Sequence, residues 1–370
     1  MYLKGLKLKN YRNYIEQQTA FDRGLNFIVG NNAQGKTNLL EAVYLLSSGK
    51  SYRTPFDREL VRWNSDTLYI KGRLVEDKGE KEIEIGIKGN NKRVKVNGIN
   101  LKKRGELLGN LMVVFFSPEE LKLVKEGPSF RRRFMDQEIA QLKPSYYYAL
   151  NSYNKVLFQR NSLLRDNLRK KANVDTLADW DRQLIGYGAK LIYDRVHFIN
   201  KISAISSSIH ATITNGDEKL EVAYLSCVDL NNIKGIKDIQ AQLKVNLENS
   251  RERDIKTGVT NSGPHREDLG VAINGIDTRK FGSQGQQRTA ALSLKLSEIE
   301  LIKEETGEYP VVLLDDVMSE LDPQRQKFVL ENISRIQAFI TCTHLTGAME
   351  KRYIHGKVFY INSGIIITEE

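Results

Sequence analysis

Gly30-Asn31-Asn32-Ala33-Gln34-Gly35-Lys36-Thr37 decides how the rest of the chain is read. The spacing is glycine, four residues, glycine, lysine and threonine, the pattern of a loop that cradles the phosphates of a nucleoside triphosphate. The two glycines let the backbone curl until successive N–H groups point inward. Lys36 then reaches the outer phosphates, and the Thr37 hydroxyl is suited to ligate magnesium. The flanks agree with this reading, since Leu25-Asn26-Phe27-Ile28-Val29 is a buried-strand pattern and Asn38 to Leu46 a helix whose N-terminus faces the phosphates. The candidate nucleotide contacts are therefore Gly30, Asn31, Asn32, Ala33, Gln34, Gly35, Lys36, Thr37 and Asn38.

A second stretch completes such a site. Pro310-Val311-Val312-Leu313-Leu314-Asp315-Asp316 is an apolar strand ending in two acids, which can hold magnesium opposite the loop and handle a proton on attacking water. Asp315 with Thr37 is the expected metal pair. Asp316 and Lys36 are the expected catalytic groups, although an aspartate reaches less far than the glutamate often found there.

With 56 Lys and Arg against 46 Asp and Glu, the 370-residue chain carries a formal charge of +10, which favours a polyanionic partner and makes nucleic acid the natural candidate. The length suits about two domains. Apolar stretches such as Leu39 to Leu46, interrupted by Glu41, fall well short of a membrane span. Met1 to Lys7 alternates apolar and basic residues like a half-buried strand and lacks the apolar core of a secretory signal. The expectation is a cytoplasmic protein with no membrane partner. Cys227 and Cys342 stand apart without metal-ligand spacing, which argues against a disulfide framework or a zinc site.

Up to Phe116 the chain reads as strand-rich, with Leu68 to Arg73, Ile83 to Lys88 and Arg93 to Val96 separated by Gly89-Asn90-Asn91 and Asn97-Gly98, the signals of a mixed sheet around the nucleotide. Met112 to Phe116 is a further buried strand, and Ser117-Pro118-Glu119-Glu120 reads as a helix start with proline at the first position. Helical spacing then dominates, notably Pro144 to Arg165 and Asp175 to Ile213, with one short strand near Glu221 to Tyr224, and strand patterns resume at Gly270 to Ile273. The expected division is 1–117 for the first half of a nucleotide domain, 118–255 for an inserted helical lobe with DNA and dimer contacts, and 256–370 for the second half.

Phe281-Gly282-Ser283-Gln284-Gly285-Gln286-Gln287-Arg288-Thr289 leads into the helix Ala290 to Lys303, and Ser319-Glu320-Leu321-Asp322 follows the acidic strand end. Together these resemble the signature, magnesium strand and D-loop of ABC-type ATPases. The resemblance implies an α/β ATPase head, with mixed sheets around the phosphate loop and an inserted, mainly helical lobe. It implies ATP and Mg2+ as cofactors and an ATP-dependent homodimer, in which Ser283, Gly285 and Gln286 of one head close over the γ-phosphate held by the other. The free N–H groups of a helix opening at Ser283 suit an anion.

The long interval between Lys36 and Ser283 is characteristic of the DNA-associated branch of these ATPases. Within that branch the chain resembles the RecF family of bacterial recombination mediators nearly end to end. The resemblance is carried by Asn10-Tyr11-Arg12-Asn13-Tyr14, the Gly30 to Thr37 loop, Phe116-Ser117-Pro118-Glu119, Gly127-Pro128 with Arg131-Arg132-Arg133-Phe134-Met135-Asp136, Gln159-Arg160-Asn161, Gly263-Pro264-His265-Arg266 and Gly285-Gln286-Gln287-Arg288. It implies a weak, DNA-stimulated ATPase that binds single-stranded, gapped or junction DNA and works with RecR and RecO to load RecA. Slow hydrolysis would then time the release of dimer and DNA. Arg12 resembles an arginine that touches nucleotide in related heads, and His344 sits where a switch histidine would be. Ser117 and Glu119 occupy the place of the Q-loop, where a glutamine is usual.

For DNA the best local signal is Arg131-Arg132-Arg133, supported by Lys122, Lys125, Lys143, Arg160, Arg165, Arg169, Lys170 and Lys171. Adjacent residues on a helix cannot all face one way, so at least one of the three arginines is expected to pair internally. Tyr146-Tyr147-Tyr148 is expected to place one or two rings in the core rather than on bases. Among alternatives, a transporter ATPase subunit would need an apolar groove and a shorter insertion, a chromosome ATPase of the SMC type two long heptad arms, and a P-loop kinase would lack the Ser283 to Gln287 element. The strongest alternative is an ATP-switched DNA clamp without meaningful hydrolysis.

Overall fold

The computed structural model describes residues 1–77, 79–170, 176–231, 233–345, 349 and 356–368. In chain order the elements are β1 (Tyr2–Tyr11), β2 (Tyr14–Ala20), β3 (Leu25–Val29), α1 (Lys36–Ser48), β4 (Thr67–Glu76), β5 (Gly79–Lys88), β6 (Asn91–Val96), β7 (Ile99–Asn100) and β8 (Val113–Phe116). The helical stretch follows as α2 (Pro128–Leu142), α3 (Pro144–Lys170), α4 (Leu177–Ile213), β9 (Leu220–Leu225), α5 (Ile236–Thr257), β10 (Asp268–Ile273), β11 (Ile276–Asp277) and α6 (Thr278–Phe281). The chain closes with α7 (Gln284–Thr306), β12 (Val311–Leu314), α8 (Pro323–Ile333), β13 (Ala338–Cys342), β14 (Gly356–Asn362) and β15 (Ile365–Thr368).

Two compact units result, Met1–Lys122 with Lys295–Glu370, and Leu123–Leu294. The stretch 256–294, expected with the C-terminal half, packs with the helical lobe. The reason is strand pairing: β10 pairs along its whole length with β9, Asp268 opposite Leu225 through Ile273 opposite Leu220, and drags β11 with it.

The mixed sheets expected in the first unit are two six-stranded sheets. One is antiparallel, in the order β2-β1-β4-β5-β6-β7; the other has the order β15-β14-β3-β13-β12-β8, parallel except for the edge strand β15. The alternating β1 and β4 turn one apolar face inward, as half-buried strands do. The parallel strands β3, β8, β12 and β13 are buried at every residue, which is why they read as unbroken apolar runs. Helix α1 shares one core with both sheets: Leu39, Leu40, Ala42, Val43, Leu45 and Leu46 are fully buried in it. Each large side chain there contributes about 2 kcal/mol of transfer free energy. This core fixes the start of α1, and therefore the phosphate loop, against the strand ends.

The helix start expected at Ser117 is a single 3-10 turn, Glu120–Lys122, whose Glu120 N–H bonds Ser117 Oγ at 3.2 Å. The same proline signal recurs at Gly127-Pro128, and α2 begins there with Pro128 in its first turn. No helix among the described residues is long and apolar enough to cross a membrane.

Candidate functional site

The two-residue turn between β1 and β2 lies beneath the phosphate loop. Arg12 takes a left-handed φ of 50° there, and Asn13 Nδ2 donates to Gln34 O at 2.7 Å. Asn38 Nδ2 donates back to Asn13 Oδ1 at 2.9 Å. Gly35 has φ 117°, and a Cβ on it would stand 2.6 Å from Asn13 Nδ2, so both conformation and space demand glycine. Tyr14, buried, donates its hydroxyl to Gly35 O at 2.9 Å. From the other side the β14–β15 turn holds the loop, Gly364 N donating to Gln34 O at 3.0 Å and Ser363 N to Gln34 Oε1 at 2.6 Å. The Lys36 ammonium donates to Gly30 O at 2.6 Å and Asn31 O at 3.1 Å. The loop is thereby held curled by its own lysine, while Asn31, Asn32 and Ala33 stay exposed.

Thr37 and Asp315, far apart in sequence, meet: Thr37 Oγ1 donates to Asp315 Oδ1 at 2.9 Å. Tyr52 donates to Asp315 Oδ2 at 3.1 Å, and Thr341 Oγ1 donates to Oδ1 at 3.1 Å while accepting from Asp316 N at 2.8 Å. Burial pushes the Asp315 carboxyl up, helped by the neighbouring Asp316, and the three hydroxyls pull it back only in part. Burial, then Asp315, pushes the Tyr52 phenol far above its usual range, so it remains a donor. Asp316 adopts φ 53° and is half-buried beside this cluster. A hydroxyl and a carboxylate in contact form a hard oxygen pair that fits Mg2+, which takes one or two protein oxygens alongside phosphates and waters.

Arg12, expected to touch nucleotide, grips Glu41. Its Nε and Nη2 donate to the Glu41 oxygens at 2.9 and 2.7 Å, and Nη1 donates to Glu59 O at 3.0 Å. Tyr11 OH and Ser51 Oγ add 2.9 and 2.5 Å bonds to the same buried carboxylate. Burial alone would raise the Glu41 pKa, but the bonds from Arg12, Ser51 and Tyr11 outweigh it and the net direction is down. Arg12 therefore braces α1. Tyr52, Thr341, Glu41, Asn13 and Tyr14 had no assigned role in the sequence reading; only the Asn10 to Tyr14 motif pointed at two of them.

Ser283, Gly285 and Gln286 stand on the second unit, at the opening of α7. Ser283 N donates to Gln286 Oε1 at 2.9 Å and Gln286 N to Ser283 Oγ at 3.1 Å, a reciprocal cap. Gln286 Nε2 also donates to Glu218 Oε1 at 2.8 Å. Ser283 and Gly285 are exposed. His344, exposed, follows β13 in the first unit. Glu119 is exposed and Ser117 buried.

The basic cluster divides by burial. Arg131 is 3% exposed and forks onto Asp268, Nε–Oδ1 2.8 Å and Nη2–Oδ2 2.5 Å, so it is a structural ion pair and not a phosphate contact. Arg160 is likewise buried, bound to Asp181, Asp254 and Thr260. Arg132 donates to Glu267 O at 2.7 Å, and Lys143 pairs with Asp194 at 2.5 Å. Arg133, Lys122, Lys125 and Arg165 are exposed. The side chains of Arg169, Lys170 and Lys171 lie outside the described residues. Tyr146 is core, donating to Asp136 and accepting from Arg195 Nε at 2.9 Å, whereas Tyr148 is exposed.

The model of the RecF/RecN/SMC N terminal domain matches residues 2–366. The chain is similar to the DNA replication and repair protein RecF of Alkaliphilus oremlandii, 47% identical over 99% of this chain and 100% of the relative. It is also similar to that of Acetivibrio thermocellus, 48% identical over 93% of each. Among solved structures, the recombination mediator protein RecF-ATPrS in the RecFOR pathway superposes with a TM-score of 0.93 at 44% identity, covering 100% of this chain and 98% of that one. The Smc head domain from Pyrococcus furiosus, 15% identical and covering 100% of this chain and 96% of its own, shares the fold with a TM-score of 0.57.

Proposed function

The chain belongs to the RecF family of DNA replication and repair proteins, and from that membership we propose that it is an ATP-dependent DNA-binding recombination mediator. The observation that carries this reading is the 2.9 Å contact between Thr37 and Asp315, which joins the phosphate loop to the acidic strand end as a magnesium–triphosphate site requires. Gly30 to Asn38 hold the phosphates, with Lys36 turning from the loop carbonyls to the outer phosphates. Thr37 and Asp315 hold Mg2+, which when bound neutralises charge developing on the γ-phosphate. Asp316 orients the attacking water. Arg12 supports the loop through Glu41.

In this reading ATP draws two copies together, the exposed Ser283 hydroxyl and Gly285 N–H of one copy, beside Gln286, offering donors to the γ-phosphate of the other. The dimer holds single-stranded, gapped or junction DNA through exposed cations such as Arg133, acts with RecO and RecR to load RecA, and releases DNA after slow, DNA-stimulated hydrolysis. The test is the mass of the protein in solution with ATP, with ADP, and with ATP after Ser283→Arg, each with and without a gapped duplex. Dimer and DNA complex only with ATP, both lost in the variant, is the expected result; a monomer without DNA affinity in every nucleotide state would sink the reading. DNA release that is unchanged in Asp316→Asn would instead favour a clamp switched by ATP exchange without meaningful hydrolysis.

A further inference from the structure

A cavity of about 270 Å³ in the first unit lies where α1 ends. Lys50, Lys92, Lys102, Lys103 and Arg104 line it against one carboxylate, Asp57. Two of these cations answer to the helix. Arg104 Nε donates to Ser48 O at 2.5 Å and Lys92 Nζ to Gly49 O at 2.8 Å, satisfying the last carbonyls of α1, and Lys92 also takes Asp57 at 2.7 Å. Lys50 and Lys102, both exposed, add charge that the helix end does not call for. A concave site lined by one sign of charge concentrates the opposite sign. Val94, Leu101 and Leu107 give it an apolar floor suited to a sugar face.

The segment leaving α1 connects this cavity to the nucleotide site. Gly49 and Lys50 line the cavity at one end of the segment, and Pro55 lines it at the other. Between them Ser51 bonds Glu41 at 2.5 Å, Tyr52 bonds Asp315 at 3.1 Å, and Arg53 Nη1 bonds Asn38 Oδ1 at 2.7 Å. The Tyr52 ring packs on Phe115 and Tyr44, with centroids 4.2 and 5.3 Å away, so its hydroxyl cannot shift without the segment shifting. A ligand that repositions Gly49, Lys50 or Pro55 therefore acts on the Asp315 carboxylate.

We propose that this cavity binds a phosphodiester of the DNA backbone and that the segment 49–55 transmits its occupancy to Asp315, making Tyr52 the positioning residue that couples DNA to ATP turnover. The inference rests on the DNA-binding reading above. Its test uses the full chain with a labelled gapped duplex and ATP, measuring affinity against salt and the ratio of ATP turnover with DNA to turnover without it. Each phosphate neutralised adds about 0.9 to the slope of log K on log salt. The double variant Lys50→Glu with Lys102→Glu is expected to lower that slope by about 1, and the turnover ratio falls with it. Tyr52→Phe is expected to keep the parental slope while its turnover ratio drops to about one, an uncoupling that a loss of folding would not produce. An unchanged slope in the double variant, with the parent binding DNA normally, overturns the cavity assignment and leaves the DNA reading intact. Loss of poly-glutamate binding with DNA binding kept also overturns it and assigns the cavity to an acidic protein segment. A parent chain that binds no DNA in any nucleotide state overturns both readings. A parental turnover ratio in Tyr52→Phe overturns the coupling.

Discussion

His265 offers a sharp test of how the second unit is held together. Its Nε2 faces Thr260 O at 3.0 Å, and a carbonyl only accepts, so the ring proton sits on Nε2. Nδ1, 2.7 Å from Tyr153 OH, must then accept. Burial, with help from Arg266 and Arg132, outweighs the Thr260 bond and lowers the imidazole pKa from its ordinary 6.5 to about 4. Because the folded pKa lies below the unfolded one, the unfolded chain binds more protons between the two values. Stability therefore rises with pH through that window, is complete above about pH 6.5, and is lost as pH falls toward 4. Linkage puts the loss between pH 7 and pH 5 at about 2 kcal/mol. Urea unfolding followed by tryptophan fluorescence reads it, because Trp63 is 91% exposed in the native state and changes little, leaving Trp180 of α4 to report on the second unit. His265→Asn keeps a donor and an acceptor but cannot titrate. Parent and variant losing the same free energy between the two pH values would refute the assignment.

Three further outcomes follow from the same geometry. Arg131→Ala leaves Asp268 without its fork and is expected to destabilise the second unit by about 3–5 kcal/mol, whereas exposed Arg133→Glu stays within about 0.5 kcal/mol in the same urea assay and weakens DNA binding; equal stability of the two variants contradicts the burial argument. Glu41→Gln keeps the shape of the hub but weakens four bonds, so thermal unfolding of the first unit is expected to show a loss of about 1–3 kcal/mol, and a parental transition would mean that Arg12 and Tyr11 do not depend on that charge. Thr37→Val is expected to bind ATP equally with magnesium and with EDTA, where the parent binds more tightly with magnesium; a retained magnesium effect moves the metal off Thr37.

The phosphate loop, β3, α1 and the acidic end of β12 were legible because each is local. Glycine spacing, an unbroken apolar run and paired acids carry their meaning within a few residues. The supports of the site were not, since Tyr52 meets Asp315 across 263 residues and Arg12 meets Glu41 across 29, with nothing at either end to announce the partner. Arg131 and Arg160 looked like basic surface for the same reason: a charge count sees the cation and not Asp268 or Asp254, which bury it from 137 and 94 residues away. The lobe boundary slipped because β10 seemed to resume the nucleotide sheet, while its pairing with β9 places it in a separate three-stranded sheet. Ser117-Pro118 and Gly127-Pro128 carry one helix-start signal twice. The second wins, because Arg131, Phe134, Met135 and Ile139 then fall on a buried face.

The two acids at the end of β12 are held very differently, and the contrast bears on whether the ATP site is built for speed. Asp315 receives three hydroxyls within 3.1 Å, so its carboxylate is in place before a metal arrives. Asp316 has its backbone fixed, with N–H on Thr341 at 2.8 Å and φ at 53°, while among the described residues its carboxylate has a long 3.4 Å approach from the same hydroxyl. Preorganisation is thus concentrated on holding metal and phosphates, and little is placed on the group proposed to orient water. Transition-state stabilisation depends on that second kind of preorganisation. A site that holds its metal-side acid in place and leaves the acid proposed to orient water loosely held suits a long-lived ATP state, in keeping with the proposed slow release step. The same asymmetry makes the Asp315 side, through Tyr52, the place where a distant ligand can change the rate most.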